Sequence, residues 1–162
     1  MSSPAADAPR FRERLWCPVS YWLISFAVGL TFVTAVGWYL GPWFAAGAGI
    51  VTAAGLVVFL GGIGQLEIVV DDRGLRVGGS LLEWEYQGTA STLDAVAARD
   101  RLGVGADTRA FVAERPYIAE AVEVPVRDAA DPHPYWFVAT RRPAQLALAL
   151  ADGRAEHSEA AA

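Results

Sequence analysis

Lysine is absent from the 162 residues, cysteine occurs once, and histidine occurs twice. With a single thiol, Cys17, no internal disulfide can form, and His133 and His157 lie too far along the chain to complete a usual zinc site with it. No metal or cofactor is therefore expected. All 13 basic residues are arginine, a bias that fits a high-GC bacterial coding sequence and carries no binding code. The most informative absence is local. No Asp, Glu, Lys, Arg or His occurs from Leu15 to Leu66, a run of 52 residues. Such a run excludes disorder over the whole length and divides the chain into an apolar segment and a charged one.

What is present follows that division. Hydrophobic residues make up 54% of the chain and the mean hydropathy is +0.29. Residues 67–162 carry 10 Arg against 16 acids, a balance of −6, while the first 14 residues carry 3 Arg against 2 acids, +1; together these give the net −5. An acidic domain repels a phosphate backbone, so nucleic-acid binding is not expected.

Residues 19–40 (VSYWLISFAVGLTFVTAVGWYL) form an uncharged stretch of 22 residues, enough at about 1.5 Å per residue to cross roughly 30 Å of hydrocarbon. Gly41-Pro42 is a turn, and residues 42–64 offer a second span. Trp16, Tyr21 and Trp22 at one end and Trp38, Tyr39, Trp43 and Phe44 at the other sit where aromatic rings favour the headgroup layer. Arg10, Arg12 and Arg14 precede the first span and Arg73 and Arg76 follow the second, so both termini are expected in the cytoplasm of an inner-membrane protein. A signal peptide is the rival reading of the first span, but its apolar run is too long and no polar gap precedes Ala46-Gly47-Ala48.

Small residues recur every four positions in both spans: Ala27, Thr31 and Ala35 in the first, Ala45, Gly49 and Ala53 in the second. Such stripes let backbones approach closely and are expected to face each other within the hairpin; a homodimer or another membrane protein would use the same stripes. Neither span holds an ionisable group, which argues against a channel or transporter.

From Leu66 the pattern alternates. Leu66, Ile68 and Val70 predict a strand, Asp71 to Gly74 a turn, and Leu75 and Val77 the returning strand. Leu82, Trp84 and Tyr86 alternate with Glu83 and Glu85, predicting a third strand, and Ser91–Arg101 predicts a short helix capped by Ser91. Further strands are expected at 111–113, 118–126 and 135–140, then a helix from Pro143 to about Gly153 and a disordered tail over 154–162. The expected architecture is an N-terminal segment (1–18), a two-helix membrane hairpin, and a small α+β domain over 66–153. That domain would be antiparallel and β-rich, closed by its C-terminal helix in a pleckstrin-homology-like arrangement.

Three runs carry a family likeness: Arg12 to Trp16 (RERLW), Leu66 to Val77 (LEIVVDDRGLRV), and Asp131 to Pro143 (DPHPYWFVATRRP) followed by Leu146 and Leu150. On these the chain resembles the domain-of-unknown-function 3093 family of uncharacterised actinobacterial membrane proteins. The resemblance implies two membrane helices and a cytoplasmic domain, and it supplies no activity.

The residues that invite a functional reading are few. Arg141 and Arg142, joined across the sheet by Arg115 and Tyr117, would form a fork for an anionic headgroup; the plainer reading has them closing a strand end against Asp128 and Asp131. Trp136, if outward, would anchor a peptide. His133 lacks a nucleophile at a coupled spacing, Asp71-Asp72 is explained by its turn, and Glu83 with Glu85 reads as a solvated strand face. The expected function is a non-enzymatic, membrane-anchored interaction module with a protein or anionic-lipid partner. The alternative is an accessory subunit assembled through the hairpin.

Overall fold

The computed structural model describes residues 9–63, 66–128 and 130–160. The chain divides into two compact units, residues 15–66 and the two flanking segments taken together.

The first unit is a helical hairpin. Helix α1 runs Val19–Leu40 and α2 runs Pro42–Ile63; Gly64, the last residue expected in the second span, lies outside the described residues. Pro18, with φ −61° and ψ 150°, opens α1, and Gly41 closes it at φ +98°, a conformation that favours glycine. Both helices are long and apolar enough to cross a membrane, and only 6% of each apolar window is covered by protein. The packing face of α1 holds Gly29, Val33 and Gly37. A Cβ on Gly29 would sit 2.9 Å from the Thr52 methyl, and one on Gly37 would sit 3.1 Å from Ala45. From α2, Ala45 and Gly49 meet this face, and Ala53, though exposed, lines the same interhelical cleft with Gly29 and Val33. Ala27, Thr31 and Ala35 point away from α2 and are exposed as well. The expectation that the two stripes face each other therefore holds for one helix only. The physical reason is glycine: Gly29 and Gly37 permit a closer approach than alanine, so they take the contact. Thr31 satisfies its hydroxyl on the Ala27 carbonyl at 2.9 Å.

Among the described residues, the second unit holds two four-stranded sheets and two α-helices. One sheet contains β1 (Phe11–Leu15), β2 (Leu66–Asp71), β3 (Gly74–Val77) and β4 (Ser80–Glu83) in that spatial order. Ile68 pairs with Val77 and Val70 with Leu75, and these buried apolar residues form one face. Gly74, at φ +142°, turns the hairpin where a Cβ would lie 2.2 Å from the Leu82 carbonyl oxygen. The strand expected through Tyr86 is β4, and it stops earlier, at Glu83. Trp84–Tyr86 is a 3-10 turn, bent so that the buried Trp84 can donate from Nε1 to the Asp72 carbonyl at 2.9 Å.

The other sheet runs β5 (Ser91–Leu93), β7 (Ala121–Pro125), β8 (Tyr135–Ala139), β6 (Phe111–Ala113). β7 pairs antiparallel with β5 and β8, whereas β6 lies parallel to β8, a departure from the all-antiparallel expectation. Ser91 belongs to a strand and caps nothing. The cap of helix α3 (Ala95–Leu102) lies three residues later, where the Asp94 carboxylate accepts from the Val96 and Ala97 N–H groups at 3.0 and 2.8 Å. Ala98, Ala121, Tyr135 and Phe137 make the core beneath α3. Val122, Val124 and Val138 are buried on the opposite face of the sheet.

Helix α4 spans Pro143–Ala160 and packs on β5, β7 and the 3-10 turn. It continues through Gly153, the expected stop, so residues 154–160 are helical; residues 161–162 lie outside the described residues. Gly153 is buried against the Trp84 ring, where a Cβ would come within 2.3 Å. Its role is close approach.

Candidate functional site

The Arg141–Arg142 pair stands at the β8–α4 junction, and its backbone is held by a side chain from the far end of the sequence. Glu13, in the middle of β1, is 6% exposed. One carboxylate oxygen accepts the hydroxyl of fully buried Thr140, and the other accepts the Arg141 N–H at 3.2 Å. The Thr140 oxygen in turn accepts the Arg142 N–H at 3.1 Å. A carboxylate is thus taken out of water beside the start of α4, where helix N–H groups and the macrodipole favour negative charge.

The side chains turn outward from this anchor. Arg142 lays its guanidinium 5.0 Å from the Phe11 ring centroid, donates to the Arg12 carbonyl at 3.0 Å and reaches Gln145 Oε1 at 3.4 Å. Arg141 places its guanidinium 5.8 Å from the Tyr117 ring centroid. Both arginines are exposed. Two of the residues expected to join across the sheet, Arg141 and Tyr117, do meet. Arg115 instead turns Nη1 to the Glu114 carbonyl at 2.9 Å, and its Nε is buried without a hydrogen-bond partner among the described residues.

Neither Asp128 nor Asp131 serves the pair as expected. Asp128 accepts the Ala130 N–H at 2.8 Å, and Asp131 accepts the His133 N–H and ring Nδ1 at 2.8 and 2.6 Å. Chiefly through the His133 backbone bond, the Asp131 carboxyl is held below its usual range. Their short loops consume them locally, and Glu13 takes the anchoring role. Sequence reasoning missed Glu13 because it looks like one charge among three arginines before an apolar run. The available signal was Phe11-Arg-Glu-Arg-Leu15, an alternation whose inner positions are 11, 13 and 15.

A groove of about 610 Å³ lies between β1 and α4, with Arg10, Arg12 and Arg142 along it and Asp152 and Glu156 towards the far end of the helix. Arg10 pairs with Glu156, and Arg12 pairs with Glu67 at 2.6 Å. A second cleft, about 630 Å³, opens between α3 and the segment before β7, with Arg99, Glu114, Tyr117 and Phe137 in its wall. Trp136 is buried and stacks on Phe111 with ring centroids 4.2 Å apart, so it is no outward anchor. Glu83 ends a strand while Glu85 sits in the 3-10 turn, so the two do not share a strand face. Glu85 beside Tyr86 raises that hydroxyl above its ordinary value. Asp71 accepts from the Arg73 N–H and from Arg76 Nη2, both at 3.0 Å, which accounts for the acidic turn.

Comparison with known proteins gives one likeness. Neither the curated proteins nor the solved structures contain a match to the chain. The family described as protein of unknown function (DUF3093) matches over residues 10–150, a stretch running from β1 into the first half of α4. The chain belongs to the DUF3093 family.

Proposed function

We propose that this protein is a non-enzymatic, membrane-anchored interaction module. In this reading the hairpin spans the inner membrane, both termini are cytoplasmic, and the β-rich domain is pleckstrin-homology-like with α4 as its closing helix. The Arg141–Arg142 corner engages an anionic lipid headgroup or an acidic protein segment. One observation carries the reading: two adjacent exposed guanidinium groups stand on a backbone that a buried carboxylate fixes. Preorganisation of this kind lowers the ordering cost of binding an anion, and guanidinium groups suit the oxygen pairs of phosphate and carboxylate.

The test uses the full chain in detergent micelles with phosphatidylglycerol or phosphatidylcholine added, read by native mass spectrometry. Wild type should retain phosphatidylglycerol preferentially, and Arg141→Ala/Arg142→Ala should lose that preference. Equal retention of both lipids by wild type would end the headgroup reading and leave the acidic protein segment as ligand.

The exposure of Ala27, Thr31 and Ala35 on the outer face of α1 favours a second reading, an accessory subunit or homodimer assembled through the hairpin. A photo-crosslinker at Ala35 should capture a protein in that case, whereas one at Gly49 should report α1 of the same chain.

A further inference from the structure

We infer that Glu13 is a positioning residue for the Arg141–Arg142 corner, and that β1 is a strap through which the first apolar helix sets how the corner is presented. The inference rests on the corner's proposed role and adds its regulation. Three of the corner's holds come directly from β1: Glu13 on the Arg141 N–H, the Arg12 carbonyl on the Arg142 guanidinium, and the Phe11 ring beneath that guanidinium. A fourth is indirect, since Glu13 fixes the Thr140 hydroxyl whose oxygen receives the Arg142 N–H. Glu13 makes no ion pair among the described residues, so its burial is supported by these hydrogen bonds. Withdrawing it leaves a buried hydroxyl and a backbone N–H without their acceptor.

The strap has little slack. Between Leu15, the last residue of β1, and Val19, the first of α1, stand only Trp16, Cys17 and Pro18. Four residue steps reach at most about 14 Å, and the Pro18 ring fixes one of the few soft torsions. Arg12 is also tied to Glu67 on the neighbouring strand, so displacement of β1 is resisted at one point and transmitted at the corner.

Hydrogen exchange of the full chain in phosphatidylcholine nanodiscs, resolved to single amides, tests this. Glu13→Ala should speed exchange at the Arg141 and Arg142 amides by about tenfold, the factor expected for losing one such bond. Val122 and Val138 amides in the β7–β8 ladder should be unchanged. Glu13→Gln keeps an acceptor and should restore most of the protection. In wild type, moving from short to long acyl chains should change Arg141 exchange, because α1 adjusts its tilt to the bilayer; inserting Gly-Ser-Gly after Trp16 should abolish that response. Unchanged Arg141 exchange in Glu13→Ala, or identical wild-type exchange in both bilayers, overturns the strap. Should Glu13→Ala loosen the β7–β8 ladder too, Glu13→Gln and the two bilayers decide. Equal lipid retention in the mass-spectrometric test would remove the headgroup reading while leaving these exchange shifts in place.

Discussion

At the scale of the residue, Gly153 illustrates how one amino acid invites two opposite readings. Next to a presumed helix end, glycine signals a stop. Here it is an interior position of α4 that lets the Trp84 indole lie against the helix backbone, with Trp84 pinned by its bond to Asp72. Alanine elsewhere in a helix gains up to about 1 kcal/mol over glycine. At this site the added methyl meets the ring at 2.3 Å, and the ring cannot swing away without abandoning its hydrogen bond. Gly153→Ala should therefore destabilise the domain by about 1–3 kcal/mol, the ordinary cost of overpacking. Thermal unfolding of the full chain, followed by Trp fluorescence, checks this; an unchanged or raised midpoint would show that the contact yields freely.

At the scale of the element, the apolar helices were the most legible part of the sequence and the short strands the least. The bounds of α1 agree with the uncharged run, which Gly-Pro punctuation closes at Gly41-Pro42. The β2–β3 hairpin follows equally from alternation and a turn. β1, β5 and the 3-10 turn were lost for a shared reason: each is three to five residues whose fate is settled by partners distant in sequence. Ser91 could cap a helix in isolation, but pairing with Glu123 makes it a strand residue. The basic pair itself was visible, whereas its anchor was not, since no local pattern couples Glu13 to Thr140. Within the hairpin the contact residues are set by volume, which gives a prediction. In a Cys17→Ser background, Val33→Cys with Gly49→Cys should oxidise to an intrachain disulfide, given that a Cβ on Gly49 lies 3.9 Å from a Val33 methyl. Adding Gly29→Leu should reduce cross-linking severalfold, because the new side chain meets Thr52 and Leu56. Undiminished cross-linking would mean that the helices separate without cost.

At the scale of the whole molecule, the strand that precedes the hairpin and the strand that follows it are neighbours in one sheet. If the helices cross a bilayer, pairing of β1 with β2 requires that the chain return to the side it left, independently of any count of arginines. Single cysteines placed at Pro9 and at Arg73 in a Cys17→Ser background should react with a membrane-impermeant maleimide from the same face, and one at Trp43 from the opposite face. Labelling of Pro9 and Arg73 from different faces would be incompatible with the sheet.

The same connectivity has a consequence for how the protein is made. β1 is synthesised before its sheet partners, yet Thr140, which donates its hydroxyl to Glu13, lies 127 residues later. At ordinary rates of synthesis that interval is on the order of ten seconds. Throughout it, a completed hairpin carries an edge strand with a carboxylate awaiting burial. A chain broken off before Thr140 would keep both apolar helices and leave the Glu13 carboxylate without the hydroxyl that donates to it.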